Sequence, residues 1–98
     1  MSAAEQAEAI GRSMLAASEC KRKVAALRVG LTGSVEKLNA ASKMVSAVLV
    51  GQNYRPMDIE EAIQSIPSPQ SVLELVQEFK TESERSRALQ EQIQGFNL

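Results

Sequence analysis

Leu27-Arg28-Val29-Gly30-Leu31-Thr32-Gly33-Ser34-Val35-Glu36-Lys37-Leu38 lies at the middle of an apolar repeat that starts at Ala3 and ends near Val50. Two readings compete for it. Each glycine costs about 1 kcal/mol relative to alanine inside a helix, and Ser34 is placed to cap a new helix opening on Val35 and Glu36. That reading is a turn over 30–34. The other is one helix over about 3–50, continuous or kinked. The phase of the repeat favours the helix. Steps of four and three residues give Ala3, Ala7, Ile10, Met14, Ala17, Lys21, Val24, Arg28, Leu31, Val35, Leu38, Ser42, Val45, Leu49 and Gln52, and eleven of these fifteen are apolar. The register does not slip at the glycines, and a loop has no reason to preserve it. A 3.5-residue repeat belongs to a helix that buries a stripe against other helices. Ala26, Gly30 and Gly33 add a small-residue strip where another backbone approaches closely.

The ends of this helix are marked. Ser2 caps it, with Glu5 at capping-box spacing, and Glu5 and Glu8 suit the positive end of the helix dipole. Gly51, followed by Gln52 and Asn53, is a natural stop. Arg55 precedes Pro56 and is therefore driven out of helical geometry. A short helix over 58–66 follows, capped by Asp58 with Glu61 three residues on, and Ile59, Ala62, Ile63 and Ile66 line one face. Pro67 ends it. Ser68 caps a last helix over 69–94 with Pro69 in its first position. Its best stripe is Val72, Leu75, Val76, Phe79, Glu82, Ser86, Leu89 and Ile93, and Gly95 supplies its stop.

Lengths decide the expected architecture. At about 1.5 Å per residue the first helix runs roughly 70 Å and the last only about 39 Å. The fold expected is a single all-α domain over 1–98: a long heptad-patterned helix folded back on a short helix and a C-terminal helix. This coiled-coil hairpin leaves part of the long stripe uncovered, to be completed by oligomerisation or by another helical protein. A turn at 30–34 would instead let four helices close a small bundle.

Composition narrows the chemistry. The chain has no His and a single Cys, Cys20, so no Ser-His-Asp or Cys-His arrangement is available, nor a thiolate cluster for a metal. Asp58 is the lone aspartate. Glu60 and Glu61 diverge on a helix, and Glu78 with Glu82 reads as a solvated face with no Glu-x-x-His beside it. Gly30-Leu31-Thr32-Gly33 lacks the strand before it and the Lys-Ser/Thr ending of a phosphate loop. The expectation is no catalytic, cofactor or metal site. Cys20 reads as a small buried hydrophobe beside Ala17 and Val24.

Net charge is −1, unevenly spread. Residues 12–43 carry a local +5 and residues 58–91 a local −5, so the two segments complement each other. Lys21, Arg22, Lys23 and Arg28 form a basic collar fanning around the helix. Pairing with the acidic stretch 74–84 is its plainest explanation, and contact with nucleic acid is the alternative. With Tyr54, Phe79 and Phe96 as its only aromatics, the chain offers little base-stacking surface. The polar, acidic start does not resemble a signal peptide, and no apolar run approaches the ~20 residues of a membrane span. A cytoplasmic location follows by default, with signal-less export compatible.

The functional expectation is a non-catalytic protein–protein interaction module: a small scaffold, adaptor or chaperone-like subunit of a larger assembly. Its partner is itself or another helical protein, met through Ile10, Met14, Val24, Leu31, Val35 and Leu38. A nucleic-acid-associated regulator using the collar, and a structural subunit of an enzyme, are the other classes carried. Small helical hairpins of bacterial secretion systems share the length and a Pro-Ser-Pro-type turn. However, the Trp-x-Gly of the secreted hundred-residue hairpins is absent, and Pro67-Ser68-Pro69 names no family.

Overall fold

A computed structural model describes residues 2–96. It is an all-α helical hairpin of α1 (Ala3–Leu49), α2 (Pro56–Gln64) and α3 (Pro69–Gln94). The helices cluster into two compact units, one of Met1–Arg28 with Gln77–Leu98 and one of Val29–Val76. In the first unit α1 packs against α3. In the second it packs against α2 and the start of α3.

There is no turn at 30–34, and α1 is one helix through both glycines. Ser34 does not cap. Its hydroxyl donates to the Gly30 carbonyl oxygen at 3.1 Å, the bond by which a serine satisfies itself inside a helix, and the residue is buried. The expected close backbone approach at the glycines is not seen. A Cβ built on Gly30 would meet Leu75 Cδ2 at an ordinary 3.7 Å, and one on Gly33 would meet nothing within 4 Å.

Both ends of α1 follow their local chemistry. The Ser2 hydroxyl oxygen accepts the Glu5 N–H at 3.2 Å. At the far end Gln52 N–H donates to the Ala47 carbonyl at 3.0 Å and Gly51 N–H to that of Val48 at 3.1 Å. This pair of bonds is a Schellman stop, and it needs the left-handed backbone that Gly51 takes at φ 92°. Gly51→Ala therefore lowers stability by about 1–2 kcal/mol, the cost of a Cβ in that region. Thermal unfolding of the two proteins checks it.

α2 begins two residues earlier than expected. Arg55 holds the extended conformation that a following proline imposes (φ −66°, ψ 138°), and Pro56 opens the helix. Asp58 is therefore inside the first turn rather than the cap, and it accepts Arg55 Nε–H at 3.1 Å. α3 opens as read from sequence, with the Ser68 hydroxyl accepting Ser71 N–H at 3.2 Å and Pro69 in the first turn.

The seam of α1 differs from the sequence reading in one heptad series throughout and in the other beyond Leu31. The half-buried and buried positions are Ala9, Ile10, Ser13, Ala16, Ala17, Cys20, Val24, Leu27, Leu31, Gly33, Ser34, Ala41, Met44 and Ala47. The series through Ile10, Ala17, Val24 and Leu31 is shared with the expected stripe, but its next members, Leu38 and Val45, are exposed. The other is not: Ser13, Cys20, Leu27, Ser34 and Ala41 face inward, and Met14, Lys21, Arg28, Val35 and Ser42 are exposed. Size explains the choice. The buried residues of α1 are Ala17, Cys20, Ser34 and Ala41, all small, and the larger half-buried side chains come from α3: Leu75, Phe79, Leu89 and Ile93. The α3 stripe matches the sequence reading throughout, Glu82 and Ser86 included.

Candidate interaction surfaces

Neither unit has a core of large side chains. Among the described residues no Leu, Ile, Val, Met, Phe or Tyr is fully buried, and burial is confined to those four small positions of α1. What remains is a surface of exposed large apolar side chains.

That surface is concentrated in the second unit. Val29, Val35, Leu38, Val45, Val48, Leu49, Val50, Tyr54, Met57, Ile63 and Leu73 are exposed there, against Met14 and Leu15 in the first. Charge runs the other way, with eight charged side chains over 29–76 and fifteen in the first unit. The second unit is thus apolar outside and poorly charged, and the first is highly charged. Two features shape it. Along α1, Val35, Leu38, Ser42, Val45 and Leu49 form a stripe that leaves the packed seam at half-buried Leu31 and rises to 83% exposure at Leu49. Between α1 and the start of α3, Leu38, Ile66, Pro67, Val72, Leu73 and Val76 line a groove of about 430 Å³. Pro56, Ile59 and Ile63 make a second apolar hollow on α2.

The residues expected to meet a partner divide accordingly. Ile10, Val24 and Leu31 are half-buried in contacts within their own units. Met14, Val35 and Leu38 are free, at 53%, 53% and 43% exposure. The uncovered stripe lies less around Ile10 to Val24, as lengths alone suggest, than over 35–49. Two further exposed residues of the second unit are Leu49, at the end of the stripe, and Leu73, which lines the groove with Leu38. Leu49 stood in the repeat, and Leu73 lies off the α3 stripe, so only its position in the folded unit reveals it.

The basic collar has a different setting from that expected. Lys21, Arg22, Lys23 and Arg28 are exposed. Among the described residues no ion pair joins them to the acidic stretch 74–84, and the pairs present are Arg55–Asp58 and Arg85–Glu82. Arg28 instead stacks over Phe79, its guanidinium carbon 5.6 Å from the ring centroid, a cation–π contact. Consecutive residues on a helix point apart, so only part of the collar faces α3.

Cys20 sits at the centre of the first unit, 1% exposed. Its S–H is shared between the Glu82 backbone carbonyl and Glu82 Oε2, each 3.2 Å away. Burial pushes the thiol above its ordinary value of 9.0; the hydrogen bond it donates to Glu82 and the carboxylate charge add to this, while Arg85 and Lys23 oppose it. The thiolate is the reactive form, so the folded chain resists thiol reagents at neutral pH and reacts at the unfolded rate once denatured. Because the folded pKa is raised, the contribution to stability is complete below about pH 9 and is lost as pH rises beyond it. A Cys20→Ala chain, compared with the parent by thermal unfolding between pH 7 and 10.5, lacks that part of the decline.

Among the described residues no group of three His, Cys, Asp or Glu side chains is placed to hold a metal, and no helix is long and apolar enough to cross a membrane. No family model, curated protein or solved structure matches the chain.

Proposed function

We propose that the chain is a non-catalytic helical interaction module, a small scaffold or adaptor that acts by covering an apolar helix face of a partner with its second unit. One observation carries this reading: eleven large apolar side chains stand exposed over 29–76 in a unit that has no large buried ones. Surface apolar patches beyond a few hundred Å² on a small domain mark interaction sites. The groove flanked by Leu38 and Leu73 has the form that receives an amphipathic helix by its i, i+3, i+4 anchors. A photocrosslinking residue at Leu49 or Leu73 joins the chain to a protein partner, its own copy included, and the same residue at Leu15 does not. Crosslinks from Leu15 with none from Leu49 or Leu73 would overturn the assignment.

A second reading, a nucleic-acid-associated regulator, draws support from the collar, whose four cations are exposed and free of ion pairs to 74–84. It requires binding that falls steeply with salt. The interaction-module reading predicts no measurable binding of duplex DNA or RNA at ~50 mM salt. Binding abolished by reversing Lys21, Arg22 and Lys23 would put the regulator first.

A further inference from the structure

We infer that the stripe of the second unit is covered by the same stripe of a second copy, run antiparallel about a two-fold axis at the level of Ala40. The inference rests on the interaction-module reading and names its partner.

Three observations point to a copy rather than a foreign helix. First, the stripe reads nearly the same in both directions: Leu31, Val35, Leu38, Ser42, Val45, Leu49. Antiparallel pairing about Ala40 sets Val35 against Val45 of the second copy, and Leu49 against the open edge of its half-buried Leu31. It also sets Leu38 over Ser42, whose small side chain leaves room for it. An isologous two-fold interface requires this self-complementarity.

Second, the flanks carry nothing that would exclude a copy. Charged residues beside a coiled-coil seam set partner choice. Here one flank is Thr32, Asn39 and Ser46, all uncharged and exposed, and the other is Ser34 and Ala41, both buried in the unit. Glu36, Lys37 and Lys43, the charged residues of this stretch, lie more than about 100° round the helix from the middle of the stripe, so no like charges meet across it.

Third, the area is sufficient. Val35, Leu38, Val45, Leu49 and Leu73, each between 43% and 83% exposed, offer on the order of 500 Å² of apolar side chain, at the upper end of what monomers show. With Thr32, Asn39 and Ser46 as its rim, this is the scale of the smaller, weaker interfaces, those below about 1,200 Å² in total.

Sedimentation equilibrium of the 98-residue chain through the micromolar range tests the inference. The expected mass is twice 10.6 kDa. Val35→Lys and Val45→Lys alter side chains already exposed, keep the helical circular dichroism, and weaken association by about tenfold or more. In a Cys20→Ser background, a Val35→Cys chain mixed with a Val45→Cys chain forms a crosslinked pair under mild oxidation, and neither crosslinks with itself, as antiparallel pairing about Ala40 requires. A chain that stays at 10.6 kDa throughout would overturn the second copy as occupant; a crosslink from Leu49 to a different protein would then still uphold the interaction reading. A dimer indifferent to Val35→Lys and Val45→Lys would remove the stripe from the interface. Crosslinking of Val35→Cys with its own kind, and none with Val45→Cys, would remove the antiparallel pairing.

Discussion

Gly33→Pro lowers the stability of the chain by about 3 kcal/mol or more. Gly33 lies in the interior of α1, where proline removes the N–H that bonds the carbonyl four residues back and drives its ring into that carbonyl. For a domain of this size the loss moves the thermal midpoint by roughly 4–8 °C per kcal/mol. It also lowers helical circular dichroism around the break. Had the chain turned at 30–34, proline there would be tolerated as an ordinary loop residue. A midpoint within error of the parent would therefore mean that α1 is two helices.

The second large effect comes from enlarging the small seam. Ala41→Leu and Ala17→Leu each destabilise by about 1–3 kcal/mol, the usual cost of forcing extra methylenes into a closed contact. Ala17 and Ala41 are 6% and 4% exposed, and α1 meets its neighbours at these points. Ser42→Leu, one residue along and exposed, stays within about 0.5 kcal/mol. Denaturant unfolding of the three variants reads the difference. Equal costs at 41 and 42 would mean that the seam is not where small residues place it.

These two contrasts mark what the sequence makes legible and what it does not. The hairpin, its three helices, the Ser2 and Ser68 caps and the Gly51 stop follow from local rules with short reach. Each is satisfied by atoms within six residues, so a linear reading reaches it. The α3 stripe is legible as well, because its large residues have one consistent face. The α1 seam is half hidden. Hydrophobicity ranks Met14, Val35 and Leu49 above Ser13, Ser34 and Ala41, so periodicity alone selects the wrong companion series for Ile10, Ala17, Val24 and Leu31. Close helix packing ranks side chains by size instead, and it takes the small series. The larger residues displaced from the seam are the ones left facing outward.

The same logic explains the charges. Opposite local charge along a chain predicts pairing only where the two segments present those charges to each other. Lys21 lies beside the seam rather than on it, and Arg28 finds the face of Phe79 rather than a carboxylate. Glu82, read as one of the polar residues of the α3 stripe, faces Cys20. A thiol in this setting is a small buried donor, as the sequence suggested, but its acceptor was not visible there. Cys20 and Glu82 are 62 residues apart and only the fold joins them.

Cysteine labelling along 34–45, one position at a time in a Cys20→Ser background, tests the account most directly. In dilute solution labelling is expected to be fast at 35, 42 and 45 and slow at 34 and 41, because the small series faces the neighbouring helices and the apolar stripe faces outward. Protection at 35 and 42 with fast labelling at 34 and 41 would contradict it, and would return the stripe of Val35, Leu38 and Val45 to the inside of the hairpin.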